Sequence, residues 1–348
     1  MKNKNRPYLS IIVPAYNEAA LLKDNLAILH AYLSNHQRQF GWEILIVNDG
    51  SSDATGTIAD DFAAQHANVR VLHHPTNFGL GQSLKFGFAN TQGDYVITID
   101  VDLSYDVRHI EELLAKIEES RAKIVLASPY MAGGSIRNVP VLRRTLSVLG
   151  NRFLRVFVRG HFSTLTSLVR IYDGPFIRSL DLRATDMAVM PEIIHKAMVL
   201  HARIIEIPAR LDWGPQLQYG KSRTSSMRMI RHVLSTILSG FIFRPFVFLV
   251  GPGLLIGLFA LYVNIWMFVH FFEALGSLPR VDIEYSLSNA FAVAFAEFPH
   301  TFIIGFLSAM LAIQLIGMGL LALQAKKYFE ELFHLGSTRL RQIRQRVD

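Results

Sequence analysis

Residues 94–104 read DYVITIDVDLS, a short β-branched, apolar run that closes on two carboxylates, Asp100 and Asp102. Such a run favours a strand. A strand sends every second side chain the same way, so both carboxylates are expected on one side of the chain. Two buried carboxylates brought together repel, and they share a proton unless a cation or hydrogen-bond donors compensate them. A hard divalent ion held by one or two carboxylates plus the phosphates of a ligand meets that need. A helix-capping Asp beside a solvated one is the plainer alternative.

The flanking sequence sets this run in a larger pattern. LSIIVPAYNE (9–18), WEILIVNDGSSD (42–53), VRVLHH (69–74) and AKIVLASPY (122–130) also read as strands. Helical spacing falls near Ala20–Asn35, Ala54–His66, Gly81–Asn90 and Val107–Ser120. This order is βαβα, which predicts an α/β domain with a mostly parallel sheet and helices on both faces. Ligands of such sheets bind beyond the carboxyl ends of the strands, where PAYNE, NDGSSD and DVDLS all fall. A late strand in ARIIEIPARLDW (202–213) is expected to return to the same domain.

Within those turns, Asp49 ends a strand and is followed by Gly50 and small hydroxyl residues, with Ser52 or Asp53 as the cap of the next helix. A carboxylate there can accept hydrogen bonds from a base or ribose, although Asp-Gly-Ser is also an ordinary turn. NFGLGQSLKFGF (77–88) has Gly79 and Gly81 but Leu84 where a dinucleotide fingerprint needs glycine, which argues against hydride transfer. The 13 histidines show no metal-ligand spacing, and the absence of cysteine excludes disulfides, thiolate zinc sites and thiol catalysis.

The C-terminal part is of another kind, and it raises the hydrophobic content to 51%. Pro245–Phe272 and Phe298–Ala325 each run 28 residues without Asp, Glu, Lys or Arg, whereas about 20 suffice to cross a bilayer. Two transmembrane helices are expected, with a short extracytoplasmic loop between them. Lys221, Arg223, Arg228, Arg231 and Arg244 precede the first run, and Lys326, Lys327, Arg339, Arg341, Arg344 and Arg346 follow the second. That distribution places both termini on the cytoplasmic side. MKNKNR leads into an apolar run too short for a signal core, so the N-terminal domain is expected to stay in the cytoplasm. The net charge of +7 does not call for nucleic acid, because much of the excess lies beside the expected spans, where anionic headgroups attract it. Gly251, Gly253, Gly257, Gly305, Gly317 and Gly319 permit close helix packing or self-association, hence a possible homo-oligomer.

Two amphipathic stretches lie between these parts. Residues 140–160 repeat Leu142, Leu146, Leu149, Phe153, Val156 and Phe157 at helical spacing, with arginines on the other faces. This is the pattern of a membrane-surface helix or of one packed on the domain. Arg143, Ser147 and Asn151 are spaced by four and share one face, able to present a cation and a hydroxyl to a phosphate, or simply exposed. Residues 226–244 form a second such stretch leading into the first span. The expected layout is a cytoplasmic domain over 1–225, a juxtamembrane helix over 226–244, spans at 245–272 and 298–325, and a basic tail over 326–348.

VPAYNE, VNDGSSDAT, NFGLGQSLKFGF, GDYVITIDVDLS, SPYMAGG, RRTLSVLGN, TSLVRIY and IIEIPARLDW…YGKSR occur in that order between about Ser10 and Ser226. Together they resemble family 2 glycosyltransferases with the A-type, Rossmann-like nucleotide-sugar-binding fold, and within them the polyprenyl-phosphate sugar synthases typified by dolichol-phosphate mannose synthase. The resemblance implies that Pro14, Tyr16 and Glu18 line the nucleotide and that Val47 and Asp49 contact base and ribose. It implies that Asp100, Val101 and Asp102 form a D-x-D motif on ribose, metal and donor diphosphate. Arg143 and Ser147 match residues near the lipid phosphate, and Arg223 matches a basic residue of a loop that closes over the phosphates. Departures stand beside these matches. Ser104 replaces a common metal-binding Gln, Pro129 replaces an Arg, Thr164 replaces an acidic residue, Leu168 and Val169 replace Gly-Phe, and Gly214 stands near a missing Arg.

The function implied is inverting transfer of one sugar from a nucleoside-diphosphate sugar to a dolichyl or undecaprenyl phosphate at the cytoplasmic membrane face. Mg²⁺ or Mn²⁺ would assist, with Asp102 and Arg143 as the catalytic pair. A processive polysaccharide synthase and a catalytically silent nucleotide-sugar-binding scaffold are the alternatives. The first lacks a Q-x-x-R-W motif, and the second would suit the residues at 129 and 164.

Overall fold

The computed structural model describes residues 6–140, 145, 148, 162–214, 245–278 and 283–347. The expected helices over 140–160 and 226–244, with Arg143, Ser147, Asn151 and Arg223, lie outside the described residues. The βα alternation is realised as β1 (Tyr8–Ala15), α1 (Ala19–Asn35), β2 (Gly41–Asn48), α2 (Thr55–Gln65), β3 (Val69–His73), α3 (Leu80–Asn90), β4 (Tyr95–Thr98), α4 (His109–Ser120) and β5 (Ile124–Ser128). Then come β6 (Ser135–Arg137), β7 (Arg170–Asp173), α5 (Gly174–Ser179), α6 (Val189–Val199), β8 (Ile204–Pro208) and β9 (Arg210–Asp212).

Seven of these strands form one sheet in the order β3-β2-β1-β4-β7-β5-β8. Its pairs are parallel except around β7, which lies antiparallel between β4 and β5. That strand was not legible in the sequence. Four residues are too few to display a period, and the sheet captures them by pairing on both sides. Alternate residues supply two separate cores: Leu9, Ile11 and Val13 of β1 pack with α1, α2 and α4, while Ile12 packs with α3 and α6 on the other face. β2 repeats the division, with Ile44 and Ile46 on one side and Leu45 and Val47 on the other. A sheet so covered leaves only its strand ends for chemistry.

Residues 245–332 form a second unit. It holds α7 (Pro245–Ser277), α8 (Ile283–Glu297) and the first part of α9, whose full extent is Pro299–Val347. The apolar windows of α7 and α9 are only 17% and 11% buried, unlike the core helices of a soluble bundle. Contacts between Val250 and Gly319, Gly253 and Ile316, Gly257 and Ala312, and Gly305 and Asn264 step in opposite directions, so the two helices form an antiparallel hairpin. At Gly253 a Cβ would stand 2.9 Å from Ile316 Cγ1, so the helices approach through missing side chains. Gly251 and Gly317 have nothing within 4 Å and take no part in this packing. The expected loop between the spans contains α8, whose Ala290 and Ala294 pack against Met267 and Ala274.

One glycine joins the turns at the carboxyl edge of the sheet. Gly50 has φ +63°, and a Cβ there would lie 2.2 Å from the Thr76 carbonyl carbon. Gly50→Ala should therefore cost at least about 1–3 kcal/mol, through left-handed backbone strain and a backbone clash. Thermal unfolding followed by circular dichroism checks this, and an unchanged Tm would contradict the close approach.

Candidate functional site

The turns after β1 and β2 are stapled to each other. Asn17, at φ +55°, donates its N–H to Ser51 Oγ (3.0 Å) and accepts from the Ser52 N–H at Oδ1 (2.8 Å). Glu18 N–H donates to Thr55 Oγ1 (2.8 Å) and Ala19 N–H to Asp53 Oδ2 (3.2 Å). The other oxygen of Asp53 accepts from the Thr55 N–H at 3.0 Å. Asp53, rather than Ser52, thus serves the first turn of its own helix and also that of α1, satisfying donors that a helix start leaves open.

Asp49 is buried behind this pair of turns. Its Oδ1 accepts from His74 Nδ1 (2.8 Å) and the Phe78 N–H (3.0 Å), and its Oδ2 accepts from the Gly79 N–H (2.8 Å). The carboxylate shapes the 74–79 loop as well as facing the strand ends. Pro14 is half-buried at the end of β1, Glu18 is half-buried, and Tyr16 is exposed. Val47 is fully buried in the core beside α3, so its side chain has no surface for a base. The period of β2 decides this, since residue 47 points to the opposite face from Ile46.

β4 ends at Thr98, so Asp100 and Asp102 do not ride on the pleat of a strand as expected. They lie in a turn closed by Leu103 N–H to the Asp100 carbonyl (3.2 Å), with Leu103 at φ +48°. Asn25 Nδ2 holds the Val101 carbonyl at 2.9 Å, and Asp212 N–H holds the Ser104 carbonyl at 2.8 Å. Val101 is buried in the core beside α1 and α4. Ser104 N–H donates to Asp102 Oδ1 at 2.9 Å. Its described role is to orient that carboxylate.

Burial pushes the Asp100 carboxyl well above the usual range, and the charges of Asp102 and Glu18 push it further. Burial also raises Asp102, against the opposing donors of Ser104. Among the described residues no three His, Cys, Asp or Glu side chains gather into a complete metal cage. Two desolvated, mutually repelling carboxylates nevertheless suit a divalent ion that takes its remaining ligands from phosphates and water.

The position expected to carry an acid, Thr164, is buried at 2% exposure, and its N–H donates to Glu206 Oε1 at 2.9 Å. Ser163 N–H donates to both oxygens of the same carboxylate, at 2.8 and 2.7 Å. Glu206, on β8, thus brings a carboxylate to this place from a distant part of the chain. No motif spacing signals it, because only the sheet register joins the two. Ser128, before Pro129, is buried and shares a hydrogen bond with the Ser163 hydroxyl. Leu168 and Val169 fill opposite cores.

The raised carboxyls have a consequence for stability. A group whose folded pKa exceeds its unfolded value stabilises the fold below the unfolded pKa and loses that contribution as pH rises through the folded pKa. The contribution of Asp100 and Asp102 to stability should fall as pH rises from about 4, against the opposite contributions of the lowered Asp106 and Asp212, so Asp100→Asn should raise the Tm at pH 7 more than at pH 4. Melting curves across pH for the two proteins check this, and identical pH profiles would contradict it.

Residues 10–176 match the family model described as Glycosyl transferase family 2. The chain is similar to dolichyl-phosphate beta-glucosyltransferase ALG5C of Trichomonas vaginalis, with 27% identity over 68% of this chain and 72% of the relative. It is similar to undecaprenyl-phosphate mannosyltransferase of Micrococcus luteus, with 29% identity over 57% and 80%. With polyprenol monophosphomannose synthase of Mycolicibacterium smegmatis it shares 30% identity over 51% and 65%. Over residues 10–176 the chain is accordingly similar to glycosyl transferase family 2.

Proposed function

We propose that this protein transfers a single sugar from a nucleoside-diphosphate sugar to a polyprenyl phosphate at the cytoplasmic face of a membrane, inverting the anomeric carbon. The observation that carries this reading is the Asp100–Asp102 turn at the carboxyl edge of the sheet, whose two carboxyls are raised by burial, that of Asp100 further by the charges of Asp102 and Glu18. The names of the three relatives support a lipid-phosphate acceptor. The two long apolar helices support a membrane location, and the flanking lysines and arginines favour cytoplasmic termini.

Asp100 and Asp102 would hold Mg²⁺ or Mn²⁺, with Ser104 orienting Asp102 through its backbone N–H rather than acting as a ligand. When bound, such an ion supplies charge neutralisation to a departing diphosphate. Pro14, Tyr16, Glu18 and Asp49 would line the nucleotide, and Arg223 would approach its phosphates. A phosphate monoester has a second pKa near about 6 and is already anionic at pH 7. Its oxygen needs a positioned cation more than a base, which suits Thr164 in place of an acid. Arg143, Ser147 and Asn151 would orient that phosphate. Its oxygen forms the new bond to the anomeric carbon as the bond to the nucleoside diphosphate breaks, and no proton need move.

Incubating purified protein with polyprenyl phosphate, Mg²⁺ or Mn²⁺ and labelled nucleotide sugars tests the reading. One sugar per lipid is the expected product. A long polymer would point to a processive synthase, and nucleotide binding without lipid product to a silent scaffold. Asp102→Ala should fold normally yet lose more than about a hundredfold in rate, as the loss of several kcal/mol of charge stabilisation implies. Undiminished transfer by that variant would remove Asp102 from the chemistry.

A further inference from the structure

Between residue 161 and β7 the chain passes through a strap, Ser163–Leu168, that has no regular secondary structure yet is buried: Leu165 is 0%, Thr164 2% and Leu168 6% exposed. A buried irregular segment has no ladder of its own, so its backbone groups need partners from side chains. Here the partners come from one transverse row of the sheet. Register places Thr98 opposite Arg170, Arg170 opposite Leu126, and Leu126 opposite Glu206, across β4, β7, β5 and β8. The row meets the strap in order along its length. Glu206 accepts from the N–H groups of Ser163 and Thr164, Arg170 Nη2 donates to the Leu165 carbonyl (2.7 Å), and Thr98 Oγ1 donates to the Leu168 carbonyl (2.5 Å).

Arg170 is the costly member of this row. It is fully buried, its second terminal nitrogen goes to the Met190 carbonyl (3.0 Å), and its Nε makes no well-formed hydrogen bond. Both of these partners are neutral carbonyls, and among the described residues no salt bridge to a carboxylate is found for it, although the Glu206 charge in the same row favours its protonated form. An apolar side chain of similar size would spare the desolvation of a guanidinium. The same replacement would leave the buried Leu165 and Met190 carbonyls without the donors that this guanidinium supplies.

We propose that Glu206, Arg170 and Thr98 are positioning residues that register the acceptor side of the site against the donor side. In the sequence the strap begins twelve residues after Asn151, the last of Arg143, Ser147 and Asn151, and the last member of the row, Thr98, lies two residues before Asp100. A second tie, Ser167 Oγ to the Tyr105 hydroxyl (3.3 Å), joins the strap to the residue just after the carboxylate turn. Fixing the strap at both ends fixes its position against the carboxylate turn. This assignment rests on the transferase reading above.

The test uses the full-length protein in detergent or lipid, with Glu206→Gln and Thr98→Val weakening opposite ends of the clamp and Arg170→Lys its middle. Thr98→Val is nearly isosteric and suits a strand, so it keeps the test open if a change at Arg170 fails to fold. We expect variants that melt within a few degrees of the parent and bind nucleotide within about twofold of it. At saturating donor, kcat should fall roughly ten- to a hundredfold, the scale of misplacing a reacting group. Amide exchange over residues 163–168 should accelerate in the same variants. Unchanged exchange in both Glu206→Gln and Thr98→Val overturns the clamp. Faster exchange with unchanged kcat overturns its role in positioning, as does a rate loss that follows nucleotide affinity or Tm. A parent protein that makes no lipid-linked sugar overturns the transferase reading and with it the kinetic half of the proposal, whereas the exchange data judge the clamp by themselves.

Discussion

A parallel strand covered on both faces has no place for an unpaired polar side chain until its ladder ends. That constraint orders the whole domain. β1, β2 and β4 bury alternate residues in two separate cores, and each delivers its polar turn only where pairing stops, at Tyr16–Glu18, Asp49–Asp53 and Asp100–Ser104. Because the three strands are neighbours in the order β2-β1-β4, three turns far apart in sequence meet at one edge. The turns then hold one another. Asn17 and Ser51 exchange support, Asp53 serves two helix starts, and Asn25 pins the turn that carries the carboxylates. Little of this edge depends on loop chemistry alone.

Electrostatics at the edge run against stability. Asp100 and Asp102 are desolvated and repel, with Glu18 adding to the repulsion, so the ligand-free fold holds them at a cost. Such a cost is intelligible where a cation and a diphosphate are to be received, since pairing with them removes it. Arg170 carries a related lesson with the opposite sign of charge: a buried guanidinium is desolvated to hold two backbone carbonyls. In both places local rules of burial are broken beside the chemistry, where departures of this kind are expected.

What the sequence by itself determined was the alternation of strands and helices over the first 130 residues and the polar turns that end β1, β2 and β4. Periodicity marked the strands and helices, runs without charge marked two helices long enough to span a bilayer, and turn residues marked Asp49, Asp100 and Asp102 at strand ends. These follow from local physics, because a period of two or 3.6 and a turn residue are properties of neighbouring positions. Only the tertiary structure decided the rest. It inserted β7 against the parallel direction, turned Val47 into the core, took Asp100 and Asp102 off the pleat into a turn, and assigned Ser104 to Asp102. It also brought Glu206 to Ser163 and Thr164, about forty residues away in the chain. The placement of β7 and of Glu206 depends on register between strands distant in sequence, and register is a property of pairs that no local pattern contains.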